Sequence, residues 1–265
     1  MTRPRAVLVT GGGSGIGAAV ARMLTAAGSR VAVCGRRADA LRAVAAETGA
    51  LGLVCDVADA GQVARVVEMV AGELGGLDGL VLNAGVIAPG GVADLSPADW
   101  SAMVSVNLTG AFLVARAALP SLIERRGSVV GVSSINGERA GPGWAAYSTS
   151  KAGLIMLTRS LANDYGPQGV RANCVLPGWV RTPMGDADMD DVARLRGIDR
   201  EDAYRLTHRL NPLRRPAEAS EVAAVVAFLA GPDASYVNGA AIPVDGGTSV
   251  VDPTTAAEFS SGAES

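Results

Sequence analysis

Short apolar runs and longer amphipathic stretches alternate along this chain almost from its start. Arg5–Thr10 (RAVLVT), Arg30–Gly35 (RVAVCG), Leu51–Cys55, Leu77–Asn83 (LDGLVLN), Ser128–Ser134 (SVVGVSS), Val170–Leu176 (VRANCVL) and Gly239–Val244 are short and apolar, which predicts seven strands. Between them, apolar residues recur at helical spacing over about Ile16–Ala27, Ala38–Thr48, Ala60–Leu74, Pro97–Arg126, Ala145–Asp164 and Ala217–Leu229. Near-continuous apolar strands alternating with helices imply a parallel sheet covered on both faces. Right-handed crossovers then make it a doubly wound, Rossmann-like α/β fold. No linker or change in composition interrupts the pattern, so residues 1–265 are expected to form one domain. Two segments depart from the alternation. Residues 177–215 form a long interruption with an acidic cluster (Asp186, Asp188, Asp190, Asp191) and then many arginines. Loops of such length in compact domains are usually lids or disordered, and an irregular substrate lid is expected here. Residues 248–265 are polar and small, and read as a surface tail or as packing between subunits.

Composition narrows the function. Hydrophobic residues at 49% against 18% charged exclude a disordered chain. No apolar run reaches the ~20 residues of a membrane span, and the N-terminal MTRPRAVLVT leads directly into a strand pattern rather than a signal peptide. A net charge of −3 with no basic tract argues against nucleic acid as a partner. Cys34, Cys55 and Cys174 are dispersed in apolar runs, so buried reduced thiols in a cytoplasmic protein are expected. The one histidine, His208, has no second ligand near it, so no metal site is expected and a metal-dependent hydrolase lacks its ligand set. Four residues after Tyr204 in the lid segment, His208 reads as a surface or hinge residue.

One pair stands out chemically. Tyr147 and Lys151 are four residues apart in a helical stretch and so share a face. Of the 23 basic residues, 22 are arginine and the only lysine is Lys151. A compact ammonium differs from a planar guanidinium, so the exception marks a position that needs the former. A carbonyl that accepts a hydride becomes an alkoxide and needs a proton at that moment. A tyrosine can supply it, and a cation one turn away is expected to draw the phenol pKa down from ~10.

A second motif, Thr10-Gly11-Gly12-Gly13-Ser14-Gly15-Ile16-Gly17, lies between the first strand and the first helix. Glycines there let the backbone approach a pyrophosphate resting on the helix N-terminus, although a tight turn alone also uses glycine. The second strand ends Gly35-Arg36-Arg37 with no acid until Asp39. An acid there would suit the ribose hydroxyl of NAD. Two guanidiniums suit the 2′-phosphate of NADP, though ligand-free surface arginines fit the same residues.

Together these residues resemble the short-chain dehydrogenase/reductase family, over nearly the whole chain from Ala6 to about Gly247. Gly11, Ser14, Gly15, Ile16 and Gly17 look like its cofactor turn. Asp56-Val57 is similar to the pair that meets the adenine. Asn83-Ala84-Gly85 looks like the motif that supports the sheet and lines the cofactor. Pro177-Gly178 with Val180 and Thr182 looks like the segment closing over the nicotinamide. Asn107 matches the family's helix asparagine, and Ser134, thirteen residues before Tyr147, its catalytic serine. Ser133 is a competitor for that place, and Asn107 also reads as a buried amide. The resemblance implies an NADP(H)- or NAD(H)-dependent oxidoreductase acting on a small carbonyl or alcohol. It assigns Ser134 to the substrate oxygen, Lys151 also to the nicotinamide ribose, and Asn107 to a water that resupplies protons. It also implies a homotetramer built on the helices over about Trp100–Arg126 and Ala145–Asp164. A protein that senses the dinucleotide without turnover is the alternative of another class, although such proteins usually lose the tyrosine or lysine present here. Ile135, Asn136, Pro142, Trp144, Trp179, Met184 and parts of residues 187–210 are expected around the substrate. Arg125-Arg126 offers either an acyl carrier or a nucleotide thioester a docking point or, the preferred reading, its own helix a favourable C-terminus.

Overall fold

The computed structural model describes residues 4–252. In chain order its elements are β1 (Ala6–Thr10), α1 (Gly15–Ala26), β2 (Arg30–Gly35), α2 (Ala38–Thr48), β3 (Leu51–Val54), α3 (Ala60–Glu73), β4 (Gly79–Leu82) and α4 (Pro97–Val104). Then come α5 (Gly110–Arg125), β5 (Ser128–Val132), α6 (Ala145–Tyr165), β6 (Arg171–Pro177), β7 (Val180–Arg181) and α7 (Pro183–Arg196). The last are α8 (Arg200–Thr207), β8 (Ala217–Glu218), α9 (Ala219–Ala230) and β9 (Ala241–Val244).

Seven strands form one parallel sheet in the order β3-β2-β1-β4-β5-β6-β9. Every residue of β1, β4 and β5 is buried, as a sheet covered on both faces requires. Alternate residues of β1 serve opposite layers. Ala6 and Leu8 join the core under α3, α5 and α6, while Val7 and Val9 join the one under α1, α2 and α9. Because the strands are parallel, all their carboxyl ends meet at one edge, where ligands of such folds bind.

The long helical region expected over 97–126 runs from Pro97 to Arg125, but not as a regular helix. Ser105–Thr109 forms a π-helical turn that joins α4 to α5 and carries the fully buried Asn107. This helix is long and apolar enough to cross a membrane by length and composition alone. Its buried stripe, Ala111, Val114, Ala115, Ala118 and Leu122, lies in the core against the sheet instead. Gly110 lets it come close: a Cβ there would stand 2.7 Å from Cγ2 of Val57.

Residues 177–215, expected to be irregular, hold two helices. Thr182 caps α7 by accepting from the Gly185 amide, Pro183 occupies its first turn, and Gly197 ends it in the left-handed region. Gly185, Met189 and Ala193 recur every fourth residue on its buried face and meet Ala203 and Tyr204 of α8 in a small separate core. The Arg181 guanidinium lies 4.5 Å from the Tyr204 ring centroid and pairs with Glu201 at 2.6 Å. His208 is not at the surface. It is buried beside α8 with Nδ1 2.8 Å from the Tyr204 carbonyl, and burial lowers its pKa, which keeps it neutral. Of the expected tail, Thr248–Val250 makes a 3₁₀ turn and residues 253–265 lie outside the described residues. The three cysteines are free and buried, as their apolar settings suggested.

Arg171, at the start of β6, holds the far end of α9. Its guanidinium donates to the carbonyls of Leu229 (3.1 Å) and Gly231 (2.8 Å), which a helix end would otherwise leave without partners, and to that of Val237 (3.3 Å) in the loop beyond. Arg171→Ala should lower stability by about 2–4 kcal/mol. The measurement is a lower urea midpoint at unchanged slope.

Candidate active site

The glycine turn after β1 is folded onto the end of β4. Gly11 (φ +64°) and Gly15 (φ +52°) occupy the left-handed region open mainly to glycine. A Cβ on Gly17 would lie 2.4 Å from the Gly11 carbonyl oxygen, so α1 can start this close to the turn only without a side chain there. Asn83 binds the two together: its Nδ2 donates to the carbonyls of Thr10 (2.9 Å) and Gly11 (3.2 Å). Thr10 Oγ1 reciprocates by accepting from the amides of Asn83 (3.0 Å) and Ala84 (3.1 Å). No side chain caps α1 and no acid stands in its first turn, which leaves the positive end of the helix dipole available to an anion.

This turn is one wall of a cavity of about 450 Å³ at the carboxyl edge of the sheet. Gly11, Ser14, Gly15 and Ile16 line it at the turn, with Arg36, Arg37, Asp56 and Val57 beside them. Asn83, Ala84, Gly85, Pro177, Gly178, Val180 and Thr182 line it as well. Ser134, Tyr147 and Lys151 stand in the same cavity. Two of the sequence-derived residues do not line it. Gly17 lies behind the turn, and Asn107 is enclosed under Val86. At the ribose end, Arg37 donates to Ser14 Oγ at 2.6 Å, while Asp39 is turned to Arg42 and does not reach the cavity. A turn that excludes side chains and a bare helix N-terminus fit the pyrophosphate of a dinucleotide.

The electrostatics at Tyr147 differ from expectation. Lys151 is 5% exposed, and its Nζ lies 5.6 Å from the Tyr147 ring centroid and donates to the Val132 carbonyl at 2.9 Å. Burial lowers its pKa to about 8. The Tyr147 phenol is not drawn down. Burial pushes it up to about 12, hydrogen bonding with Ser134 opposes that, and the Asp188 charge adds to the rise. The ammonium is turned to Val132, and burial decides the direction of the phenol's shift.

The two serines separate cleanly. Ser133 Oγ donates to the Lys151 carbonyl at 2.8 Å and so fastens β5 to α6. Ser134 Oγ accepts from the Asn136 amide at 3.1 Å and stands near enough to the Tyr147 phenol to oppose the rise in its pKa. Asn107 is committed to the chain: Oδ1 accepts from the Val86 amide (2.8 Å), and Nδ2 donates to the Val86 carbonyl (3.0 Å) and Ser150 Oγ (3.0 Å). Its amide therefore faces the backbone rather than a water in the cavity, although it remains close to Lys151. A Cβ built on Gly85 would meet both Asn107 Oδ1 (3.4 Å) and Lys151 Nζ (3.5 Å).

Ile135, Asn136, Trp144, Trp179 and Met184 line the remaining part of the cavity, while Pro142 does not. Arg125 and Arg126, at the opposite end of α5, do not border it either. Asp188 does; it falls in the 187–210 stretch expected around the substrate, but the sequence did not set it apart from its acidic neighbours. The missed signal is the Thr182-Pro183 helix start, which sets Met184 and Asp188 on one face of α7.

Comparison with known proteins agrees with this geometry. A family model described as enoyl-(acyl carrier protein) reductase matches residues 11–249. Protein MoaE of Klebsiella aerogenes is 46% identical, over 96% of this chain and 98% of its own length. Meso-2,3-butanediol dehydrogenase of Serratia marcescens is 38% identical, over 94% of this chain and 96% of its own. A crystal structure of actinorhodin polyketide ketoreductase with NADPH superposes with a TM-score of 0.89 at 35% identity, covering 93% of this chain and 98% of that one. The chain thus belongs to the short-chain dehydrogenase/reductase family and is an NAD(P)-dependent oxidoreductase of alcohol and carbonyl groups.

Proposed function

We propose that the protein interconverts a ketone and a secondary alcohol with NADP(H), using Ser134, Tyr147 and Lys151. The observation that carries this reading is the meeting of those three residues in the cavity that the glycine turn and Arg36-Arg37 also line. The nicotinamide cofactor, when bound, supplies or takes up the hydride. Gly11, Ser14, Gly15, Ile16, Asp56, Val57, Asn83, Ala84, Gly85, Pro177, Gly178, Val180 and Thr182 would hold it, with Arg36 and Arg37 at the 2′-phosphate. The NADPH bound to the ketoreductase relative and the secondary alcohol named for the butanediol dehydrogenase relative support this reading.

In reduction, Ser134 polarises the carbonyl oxygen and Tyr147 delivers its proton to the forming alkoxide. A phenol held near 12 is fully protonated at neutral pH and so ready to donate. The Lys151 ammonium, one turn away, stabilises the phenolate left behind. Asn107 acts as a positioning residue: it ties Val86 to Ser150, and so the loop after β4 to α6. We read α7 and α8 as the substrate lid of a single catalytic unit. We also read the exposed Trp100, Phe112 and Met156 on α4, α5 and α6 as contact residues of a homo-oligomer.

Three measurements test the reading. Tyr147→Phe should lower kcat about 10²–10⁴-fold on any accepted ketone with cofactor affinity retained, and unchanged turnover would overturn the role of Tyr147. Because burial brings Lys151 to about 8, reductive kcat/KM should stay level through neutrality and fall as pH rises past that value, where the ammonium is lost. Arg36→Ala with Arg37→Ala should raise KM for NADPH about tenfold or more and leave that for NADH nearly unchanged. A wild-type enzyme that favours NADH would remove the assignment of those arginines.

A further inference from the structure

The acids of α7 divide three to one. Asp186 accepts from the Tyr204 hydroxyl at 2.9 Å, Asp190 takes a two-pronged pair from Arg200 at 2.6 and 2.7 Å, and Asp191 pairs with Arg194 at 2.8 Å. Asp188 has no hydrogen bond or ion pair among the described residues, although its neighbours have all found arginines. It alone of the four lines the cavity, and its charge reaches the Tyr147 phenol. Arg36, Arg37 and Asp56 also border the cavity, and Lys151, with its Nζ on the Val132 carbonyl, forms no ion pair with Asp188. Ile135, Asn136, Trp144, Trp179 and Met184 line the same cavity. The substrate end thus holds a half-buried carboxylate among apolar and aromatic side chains, with no counter-ion from the protein.

We infer that Asp188 is a specificity residue which seats the positive charge of a cationic ketone or alcohol while Tyr147 and Ser134 take its oxygen. The inference rests on the carbonyl–alcohol reading above. Taking a carboxylate out of water without a partner is unfavourable, and a ligand cation removes that deficit. Burial, with the Asp191 charge adding to it, holds the Asp188 carboxyl up to about 6, which still leaves it ionised at neutral pH. Trp144 and Trp179 reinforce the choice, because indole faces attract cations. A neutral hydroxyl would return one hydrogen bond without compensating the charge, and an anionic substrate would be repelled.

Pairs of methyl ketones that differ only in a terminal trimethylammonium or tert-butyl group, two to four carbons from the carbonyl, test this on the full chain with its reduced cofactor. The wild type should favour the charged member at least about tenfold in kcat/KM, mainly through KM. Asp188→Asn should reduce that ratio at least about tenfold, and Asp188→Glu should restore much of it, which separates lost charge from a misfolded helix. Equal use of both ketones by the wild type, preference for the neutral one, or a preference that survives Asp188→Asn overturns the inference. Tryptophan fluorescence titration with the charged ketone reads binding without turnover. Saturable binding that disappears in Asp188→Asn supports the carboxylate site even where no ketone is reduced, an outcome that would sink the carbonyl reading alone. Absence of that binding in the wild type, with neutral ketones still reduced, removes the cation site and leaves the carbonyl reading standing.

Discussion

Seven parallel strands bring seven carboxyl ends to one edge, and at its centre Thr10 and Asn83 lock β1 to β4 with four hydrogen bonds. The lock fixes where the glycine turn can lie, because Gly11 packs against Ala84 and Gly17 against the Gly11 carbonyl with no space for side chains. The position of the turn sets the start of α1, and with it the direction in which that helix presents its uncapped amides. Ser134 and Lys151 reach the same edge from β5 and α6, held in register by the Ser133–Lys151 and Lys151–Val132 hydrogen bonds. Backbone contacts and buried polar groups hold this edge together, so Ser134 and Tyr147 are left to face the cavity.

The strands and most helices were legible because their burial follows simple periods: two along β1, and three to four along α3 and α5. The α7–α8 segment was not. The face that α7 buries carries Gly185, Met189 and Ala193, and α8 buries Ala203 and Tyr204, too few large apolar side chains to produce a pattern. Their caps, Thr182 and Asp199, stand among acids and arginines that carry no helical period. His208 was misplaced for the same reason, since its burial depends on helices the pattern did not reveal. The π-helical turn at Asn107 has no sequence period of its own. It becomes visible only through the amide that clasps Val86 and Ser150.

Spacing also placed Tyr147 and Lys151 together but misjudged what each does to the other. Distance along a helix reports that two groups share a face and says nothing of desolvation, which here raises the phenol and lowers the ammonium. Each group sits closer to its neutral form than it would in water.

Lys151 has a further consequence for anyone handling the enzyme. No other side-chain amine exists in the 265 residues, and this one is 5% exposed and opens only onto the cavity. Acylating reagents, aldehyde fixatives and activated resins that capture most proteins through many surface lysines find no such handle on the folded chain. Covalent labelling of its one ε-amine becomes a direct gauge of whether that interior is open, filled or unfolded.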